Sequence, residues 1–412
     1  MNYIPELKVD VELSRFDTSN TDPRYLVSYG ERQWVVREKI FKVIKSIDGQ
    51  KDLDMIYDEL QKFNLIKSKD ELIAILDNQL TKMGILKGTE LTTQSTDRYK
   101  YMFLKVNLIS SSIIEKFKFL TVLLNKRVSI IALISGIVTL LTTLYLNHEM
   151  LSFKSLLEYR SSNFMYMFFI MLSSVLIHEF GHMCAAMKYN IKPGNIGFAI
   201  YFIKPILFAD VSNVWKLNRK QRLLIDLGGI YFQFIFLSVV ALLSIMLNSK
   251  LLLFSSVMGC IILLSNINPF IKLDGYWIVS DYLGIYNLHD TMSKYLMECV
   301  QILIGAKKSP SIINQIQKKE RNLFILYTIA SLIFFILYGY GLIKLCGIII
   351  AQLLNRFNGD MSHELTNSIV LCLLLLIIVN ILLKTATSIF RFNYNILTNI
   401  SSTPKKKSLD KI

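Results

Sequence analysis

The pattern of apolar and polar positions changes near residue 100 of this 412-residue chain. Before that point, short apolar stretches alternate with charged residues, as in a water-soluble domain. Beyond it, apolar runs of about 20 residues recur, the length that an α-helix needs to cross a bilayer. We expect six spans, at roughly 128–146, 164–187, 223–246, 251–271, 322–352 and 367–386. The pattern therefore predicts a mainly α, polytopic membrane protein with about six transmembrane helices, the fifth of them tilted or broken near Gly339 and Gly341.

Residues 1–88 have the pattern of a small α+β domain. Two runs rich in β-branched and aromatic residues, 25–29 and 33–37, flank Gly30-Glu31, which predicts a hairpin. Three amphipathic stretches follow, and the third opens with Ser68 and Glu71 in the spacing of a helix-capping box. A hairpin followed by three helices resembles a winged-helix module, so we expect a winged-helix-like domain here.

The next segment differs in composition from both of its neighbours. Residues 87–100 are polar and typical of a linker. Residues 104–126 mix apolar side chains with lysines, which predicts an interfacial helix rather than a span. The expected domains are therefore 1–88, a linker and interfacial helix over 89–127, a membrane core over 128–390 and a basic tail over 391–412.

The distribution of Lys and Arg predicts the orientation of the spans. These residues concentrate before the first span, between the second and third, between the fourth and fifth, and in the tail. Because cytoplasmic loops are enriched in Lys and Arg, we expect a multi-pass protein of the cell membrane with cytoplasmic N- and C-termini. The net charge of +15 then reflects these loops and contact with the lipid bilayer, and we expect no nucleic-acid partner.

Cysteines and isolated acids carry less information. The five cysteines include no C-x-x-C pair, which predicts buried free thiols rather than disulfides or a cysteine metal site. We interpret Asp210 and Asp226, near the apolar runs, as a solvated loop residue and a helix-start charge.

A candidate metal-binding motif lies inside the second apolar run. His178, Glu179 and His182 belong to the sequence H-E-F-G-H. On a helix, histidines four residues apart share a face and can bind one zinc ion, and the adjacent glutamate can act as general base. Ionisable residues in a membrane span are costly, so the motif indicates a functional site.

A catalytic zinc site needs a third protein ligand. His148 and His363 are expected on the opposite side of the membrane, and His289 lies in a soluble-looking stretch. Asp274 follows a span interrupted by Pro269, and such breaks are tolerated where the backbone lines a cavity. Asp274 is therefore the better candidate.

The two motifs together resemble the site-2 protease family of intramembrane zinc metalloproteases. H-E-F-G-H is followed by N-I-N-P at 266–269 and by L-D-G at 273–275, and F-A-D-V-S-N-V-W at 208–215 resembles the bacterial peptide zinc metalloprotease branch. The resemblance implies a hydrolase with the cofactor Zn2+ and a short β-hairpin near the active site, at 196–212, that offers an edge to the substrate. It also implies these roles: His178, His182 and Asp274 as zinc ligands, Glu179 as general base, and Asn266 and Pro269 in substrate binding.

The first domain resembles the PqqD-like elements that bind leader peptides of ribosomally made, modified peptides, by adding the leader as a strand. This resemblance implies a membrane endopeptidase that processes a precursor peptide such as a bacteriocin, with a peptide-modifying enzyme and an ABC transporter as further partners. Two alternatives stay open: regulated cleavage of a membrane-bound regulator, and a non-catalytic role in peptide export or immunity.

Overall fold

The computed structural model of the chain describes residues 4–30, 32–90, 102–148, 161–201, 204–307 and 309–357. The described residues belong to two compact units, Met1–Tyr286 and Asn287–Ile412. The linker segment from residue 91 onward, the sixth expected span and the basic tail lie outside the described residues.

The first unit begins with a three-stranded antiparallel sheet and three helices, here called the N-terminal subdomain (residues 4–90). Its elements are β1 (Val11–Phe16), β2 (Arg24–Tyr29), β3 (Arg32–Arg37), α1 (Glu38–Ser46), α2 (Leu53–Gln61) and α3 (Lys69–Ile75, continuing through a π turn to Met83). The expected hairpin and three helices are confirmed. The sequence does not predict β1, because its apolar alternation stops at Arg15.

Local signals and a separate core hold the N-terminal subdomain together. The Asp52 and Ser68 side chains accept hydrogen bonds from the third residue of α2 and α3, which satisfies donors that the helices leave unpaired. The side chain of Glu71 accepts from Lys67 N–H, one residue earlier than in a regular capping box. The apolar faces of sheet and helices meet around Trp34, which is 4% exposed.

A second antiparallel sheet lies in the middle of the chain. It has the order β4 (Met102–Ile109), β5 (Ile196–Tyr201), β6 (Lys204–Ala209), so the hairpin expected at 196–212 is present. The interfacial helix expected over 104–126 is wrong at its start, where the chain is strand β4. Leu104, Val106 and Leu108 alternate with more polar residues, and pairing with β5 stabilises that two-residue period. The remainder of 104–126 is a short helix and a 3-10 turn.

Helices form the rest of the first unit. They are α4 (Ser111–Glu115), α5 (Lys126–Leu146), α6 (Ser161–Lys188), α7 (Arg219–Met246), α8 (Lys250–Asn266) and α9 (Asp274–Leu283). The helices α6 and α7 cross closely where Gly181 meets Gly228, since a Cβ on Gly181 would lie 2.4 Å from the Gly228 carbonyl oxygen. This close crossing brings the side chains of the two helices within reach of one another.

The second unit contains α10 (Leu288–Leu303) and the long helix α11 (Lys318–Phe357). The Glu298 carboxylate on α10 accepts a hydrogen bond from Ile312 N–H at 2.9 Å, which fixes the turn that leads into α11. The rings of Tyr295 and Phe324 join the two helices. Of the two alternatives expected for this span, tilted or broken near Gly339 and Gly341, the break is wrong, because α11 is continuous. The two glycines cost the helix only about 1 kcal/mol each.

Four helices among the described residues are long and apolar enough to cross a membrane: Lys126–Leu146, Phe164–Lys188, Arg219–Met246 and Lys318–Ala351. They correspond to four of the six expected spans. The span expected over 251–271 is only partly correct, because α8 has 17 residues and ends at Asn266. That length is about 26 Å, slightly less than the roughly 30 Å of a bilayer core. Pro269 explains the early end, since proline disfavours a helical residue before it.

Candidate metal centre

Three potential metal ligands converge at one point inside the first unit. His178 Nε2 lies 2.6 Å from Asp274 Oδ2, and His182 Nε2 lies 3.5 Å from Asp274 Oδ1. The two Nε2 atoms are 3.2 Å apart, and the ligand atoms of all three residues lie within 4.8 Å of one another. Atoms about 2.0–2.1 Å from a tetrahedral ion are about 3.3–3.4 Å apart, close to the 3.2 and 3.5 Å separations, whereas His178 Nε2 and Asp274 Oδ2 lie at hydrogen-bond distance and would have to separate to bind one ion. The group could therefore hold a metal ion.

The opposite nitrogen of each imidazole has its own partner. His178 Nδ1 donates to Gln233 Oε1 at 2.9 Å, and His182 Nδ1 donates to the Ile225 carbonyl oxygen at 2.9 Å. Both partners are acceptors, so each Nδ1 carries a hydrogen and each Nε2 is the ring nitrogen left to bind a metal ion. A carboxylate that faces two such nitrogens is a favourable environment for a cation. This donor set is what a divalent metal ion requires.

One face of α7 supplies the support for both histidines. Ile225, Gly229 and Gln233 are spaced four residues apart and lie on the same side of the helix. A Cβ on Gly229 would lie 2.4 Å from His182 Nε2, so only glycine leaves room for this ring. Gln233 is fully buried and also donates from Nε2 to Ser174 Oγ at 2.9 Å. The L-G-G sequence at 227–229 thus permits the close packing of α7 against the motif helix.

The third residue comes from the segment beyond α8. The chain leaves the helical conformation after Ile267, turns, and re-enters a helix with Asp274 as the first residue of α9. A Cβ on Gly275 would lie 2.0 Å from the Ile267 carbonyl oxygen, so the L-D-G glycine lets the turn fold back on the end of α8. The interrupted helix therefore brings Asp274 to the two histidines, as the sequence predicts.

Glu179 and the three candidate ligands line a cavity of about 660 Å³. Its other walls are mostly apolar and come from α6, β6 and the end of α8, for example Val175, Ile206 and Ile262. The Glu179 carboxylate accepts a hydrogen bond from the backbone of Ala209 in β6. A carboxylate beside the metal-ligand cluster and open to a cavity can exchange a proton with a molecule bound there.

The structure agrees with the predictions for some of the remaining residues and not for others. Asn266 lines the cavity, whereas Pro269 is not among the described residues that do so. Asp210 is half-buried and accepts hydrogen bonds from the N–H and hydroxyl of Ser212, as expected of a loop residue. Asp226 is 3% exposed inside α7, so its interpretation as a helix-start charge is wrong.

Sequence reasoning missed Gln233. The signal that could have found it is a polar residue in the middle of an apolar run, where an uncharged amide still needs hydrogen-bond partners.

Comparisons with family models, with curated proteins and with solved structures find no match to this chain.

Proposed function

We propose that this protein is an intramembrane zinc metalloendopeptidase that processes a ribosomally synthesised precursor peptide. The observation that carries the proposal is the convergence of His178, His182 and Asp274 with Glu179 on the wall of one cavity. Two histidines, one carboxylate and an adjacent glutamate form the residue set that peptide-bond hydrolysis on zinc requires.

Each residue of the site has its own role in the proposed hydrolysis. Zinc would supply Lewis acidity, which lowers the pKa of water and stabilises negative charge on the scissile carbonyl oxygen. Glu179 takes a proton from the attacking water as the C–O bond forms. It then gives that proton to the amide nitrogen as the C–N bond breaks, so that the products are a carboxylic acid and an amine. Gln233 and the Ile225 carbonyl hold the two imidazoles in the tautomer that presents Nε2.

The substrate lies extended against β6 in this proposal. A protease cleaves an extended backbone, and β6 is an edge strand of its sheet that also lines the cavity through Ile206 and Phe208. An edge strand can take an extended peptide as a further strand of its sheet. Asn266 on the opposite wall is placed to hydrogen-bond the same peptide.

The protein crosses the cell membrane several times with both termini in the cytoplasm. The four membrane-length helices and the basic segments between them support this topology. The N-terminal subdomain is then cytoplasmic, and its three-stranded sheet and three helices serve as a PqqD-like module that binds the leader of the precursor peptide. A peptide-modifying enzyme and an ABC transporter are the further partners of such a pathway.

The test compares wild type with Glu179→Gln in the producing cell. The variant keeps the three ligand side chains, so the purified protein should retain its zinc while the mature peptide disappears. Mass spectrometry of the peptide encoded beside this gene gives the readout, and metal analysis of both proteins is the control. If the mature peptide persists in the variant and no membrane-bound regulator accumulates uncut, the protease function is wrong and a non-catalytic export or immunity role is favoured. If the mature peptide is unaffected while a membrane-bound regulator accumulates uncut, the substrate is that regulator.

A further inference from the structure

The N-terminal subdomain is joined to the metal centre by one short helix. Helix α9 has ten residues and is about 15 Å long. Its first residue is the candidate ligand Asp274, and Gly284, which follows its other end, accepts hydrogen bonds from Ser19 of the N-terminal subdomain. A displacement at one end of so short and rigid an element is transmitted to the other.

The contact is formed by the end of β1 and the loop that follows it. The Phe16 ring stacks on Trp215 with 5.8 Å between centroids and meets Tyr286 edge-on at the same distance. Both the N–H and the hydroxyl of Ser19 donate to the Gly284 carbonyl oxygen, at 2.7 and 3.1 Å. Phe16 thus belongs to the same hydrophobic core as residues of the motif helix, such as Met183.

Arg222 connects this contact to α7, which supports the two histidines, and to α9, which carries Asp274. Its guanidinium is buried and donates to the Asp281 carboxylate at 2.8 Å, to the Leu217 carbonyl at 2.8 Å and to the Asp17 carbonyl at 3.0 Å. A planar guanidinium can hold three acceptors in fixed directions, which an ammonium cannot. Arg222 also lies one turn before Ile225, on the face of α7 that supports the two histidines.

Trp277 lies between the metal-site cavity and the contact around Arg222. It is one turn beyond Asp274 on α9, and it lines both the metal-site cavity and the small pocket that contains Phe16, Arg222 and Asp281. A change in the packing around Arg222 therefore reaches the wall of the metal-site cavity through a single side chain.

We infer that docking of the N-terminal subdomain, through the Arg222–Asp281 pair, positions Asp274 for metal binding, so that Arg222 and Asp281 are positioning residues. The inference rests on the proposed metal site. It adds that the cytoplasmic N-terminal subdomain controls metal binding at that site. A peptide that binds the subdomain and shifts β1 would change metal affinity, and the metal would change peptide affinity by the same factor.

The first test needs no metal. Hydrogen exchange of the α9 backbone is measured in the full-length protein for wild type, Arg222→Gln and the nearly isosteric Asp281→Asn. The matched control is Lys216→Ala, which breaks an ion pair with Glu12 at the same contact without touching α9. We expect faster exchange over residues 275–284 in the first two variants and wild-type exchange in the control. Equal protection of α9 in all four proteins overturns the inference, and Asp281→Asn decides it if Arg222→Gln fails to fold.

The second test measures Co2+ affinity by competition with a chelator, together with the Co2+ absorption spectrum. We expect Arg222→Gln and Asp281→Asn to weaken binding at least about tenfold, as loss of an outer partner does in other metal sites. Lys216→Ala should stay within about twofold of wild type. Faster exchange with unchanged Co2+ affinity and spectrum means that the contact does not position Asp274, which overturns the inference. If wild type binds no Co2+, the proposed function fails. Hydrogen exchange still tests whether the Arg222–Asp281 pair constrains the backbone of α9.

Discussion

His178 on α6 donates a hydrogen bond from Nδ1 to Oε1 of Gln233 on α7, at 2.9 Å. Both side chains are buried, and the Gln233 amide is oriented in turn by Ser174. The pair therefore sets the direction in which His178 Nε2 points, and Gln233 is not among the described residues that line the cavity.

The first prediction concerns that pair. Gln233→Leu removes the acceptor, so His178 loses its fixed orientation and we expect metal affinity to fall about 10- to 100-fold. Competition between the protein and a fluorescent chelator for Zn2+ measures the change. Ser174→Ala is the matched control, because it removes only the second partner of the amide, and it should cost less. Unchanged affinity in Gln233→Leu would show that packing alone orients the imidazole.

The second prediction concerns the helix crossing beneath His182. Gly229→Ala places a Cβ 2.4 Å from His182 Nε2, so the ring or α7 must move and metal binding should be lost. Gly339→Ala on α11 is the control, since nothing among the described residues lies within 4 Å of its Cβ. Zinc content per purified protein is the measurement. A Gly229→Ala protein with full zinc content would contradict the close contact.

The convergence of the three candidate ligands could be predicted from the sequence because each part has its own local signal. H-E-F-G-H has helical spacing, and Asp274 follows a proline in an apolar run, so each indicates an unusual site without reference to the other. Gln233 and Arg222 have no such spacing. Their roles depend on how α7 packs against α6 and α9, which no local pattern contains.

Errors in the predicted fold have the same origin. Strand β4 depends on pairing with β5, which lies about ninety residues later, and the lysines spread over 104–126 favoured an interfacial helix instead. Strand β1 is fixed by pairing with β2 and by the packing of Phe16 against Trp215. Long-range contacts decided both elements, whereas the hairpin and the helices of the N-terminal subdomain carry turn and capping signals of their own.

The third prediction concerns metal removal. The candidate ligands come from α6 and α9, so an ion that binds only the folded protein should stabilise the contact between these helices. We expect a chelator to lower the unfolding temperature of the detergent-solubilised protein and added Zn2+ to restore it in a concentration-dependent way. Asp274→Asn should start at the lower temperature and show no response to Zn2+. An equal response in Asp274→Asn would exclude the aspartate as a ligand.

The fourth prediction concerns topology. Lys62 is exposed beside α2, and Lys250 is exposed at the start of α8, on the side expected to face away from the cytoplasm. A membrane-impermeant thiol reagent should label Lys250→Cys in intact cells and Lys62→Cys only after the membrane is opened. The parent protein, with its own cysteines, gives the background. Labelling of Lys62→Cys in intact cells would reverse the proposed orientation.

The fifth prediction separates substrate binding from metal binding at the end of α8. Asn266 lines the cavity but is not one of the residue types that usually bind zinc, so Asn266→Ala should leave zinc content unchanged. Loss of one hydrogen bond to the peptide backbone costs about 0.5–1.5 kcal/mol, so cleavage should slow about two- to tenfold. Processing of the peptide encoded beside this gene, followed by mass spectrometry over time, measures the rate. Ser265→Ala is the neighbouring control, because its hydroxyl already donates to the Ile262 carbonyl, and it should process the peptide at the wild-type rate. Loss of zinc in Asn266→Ala would instead mean that this asparagine supports the turn that presents Asp274.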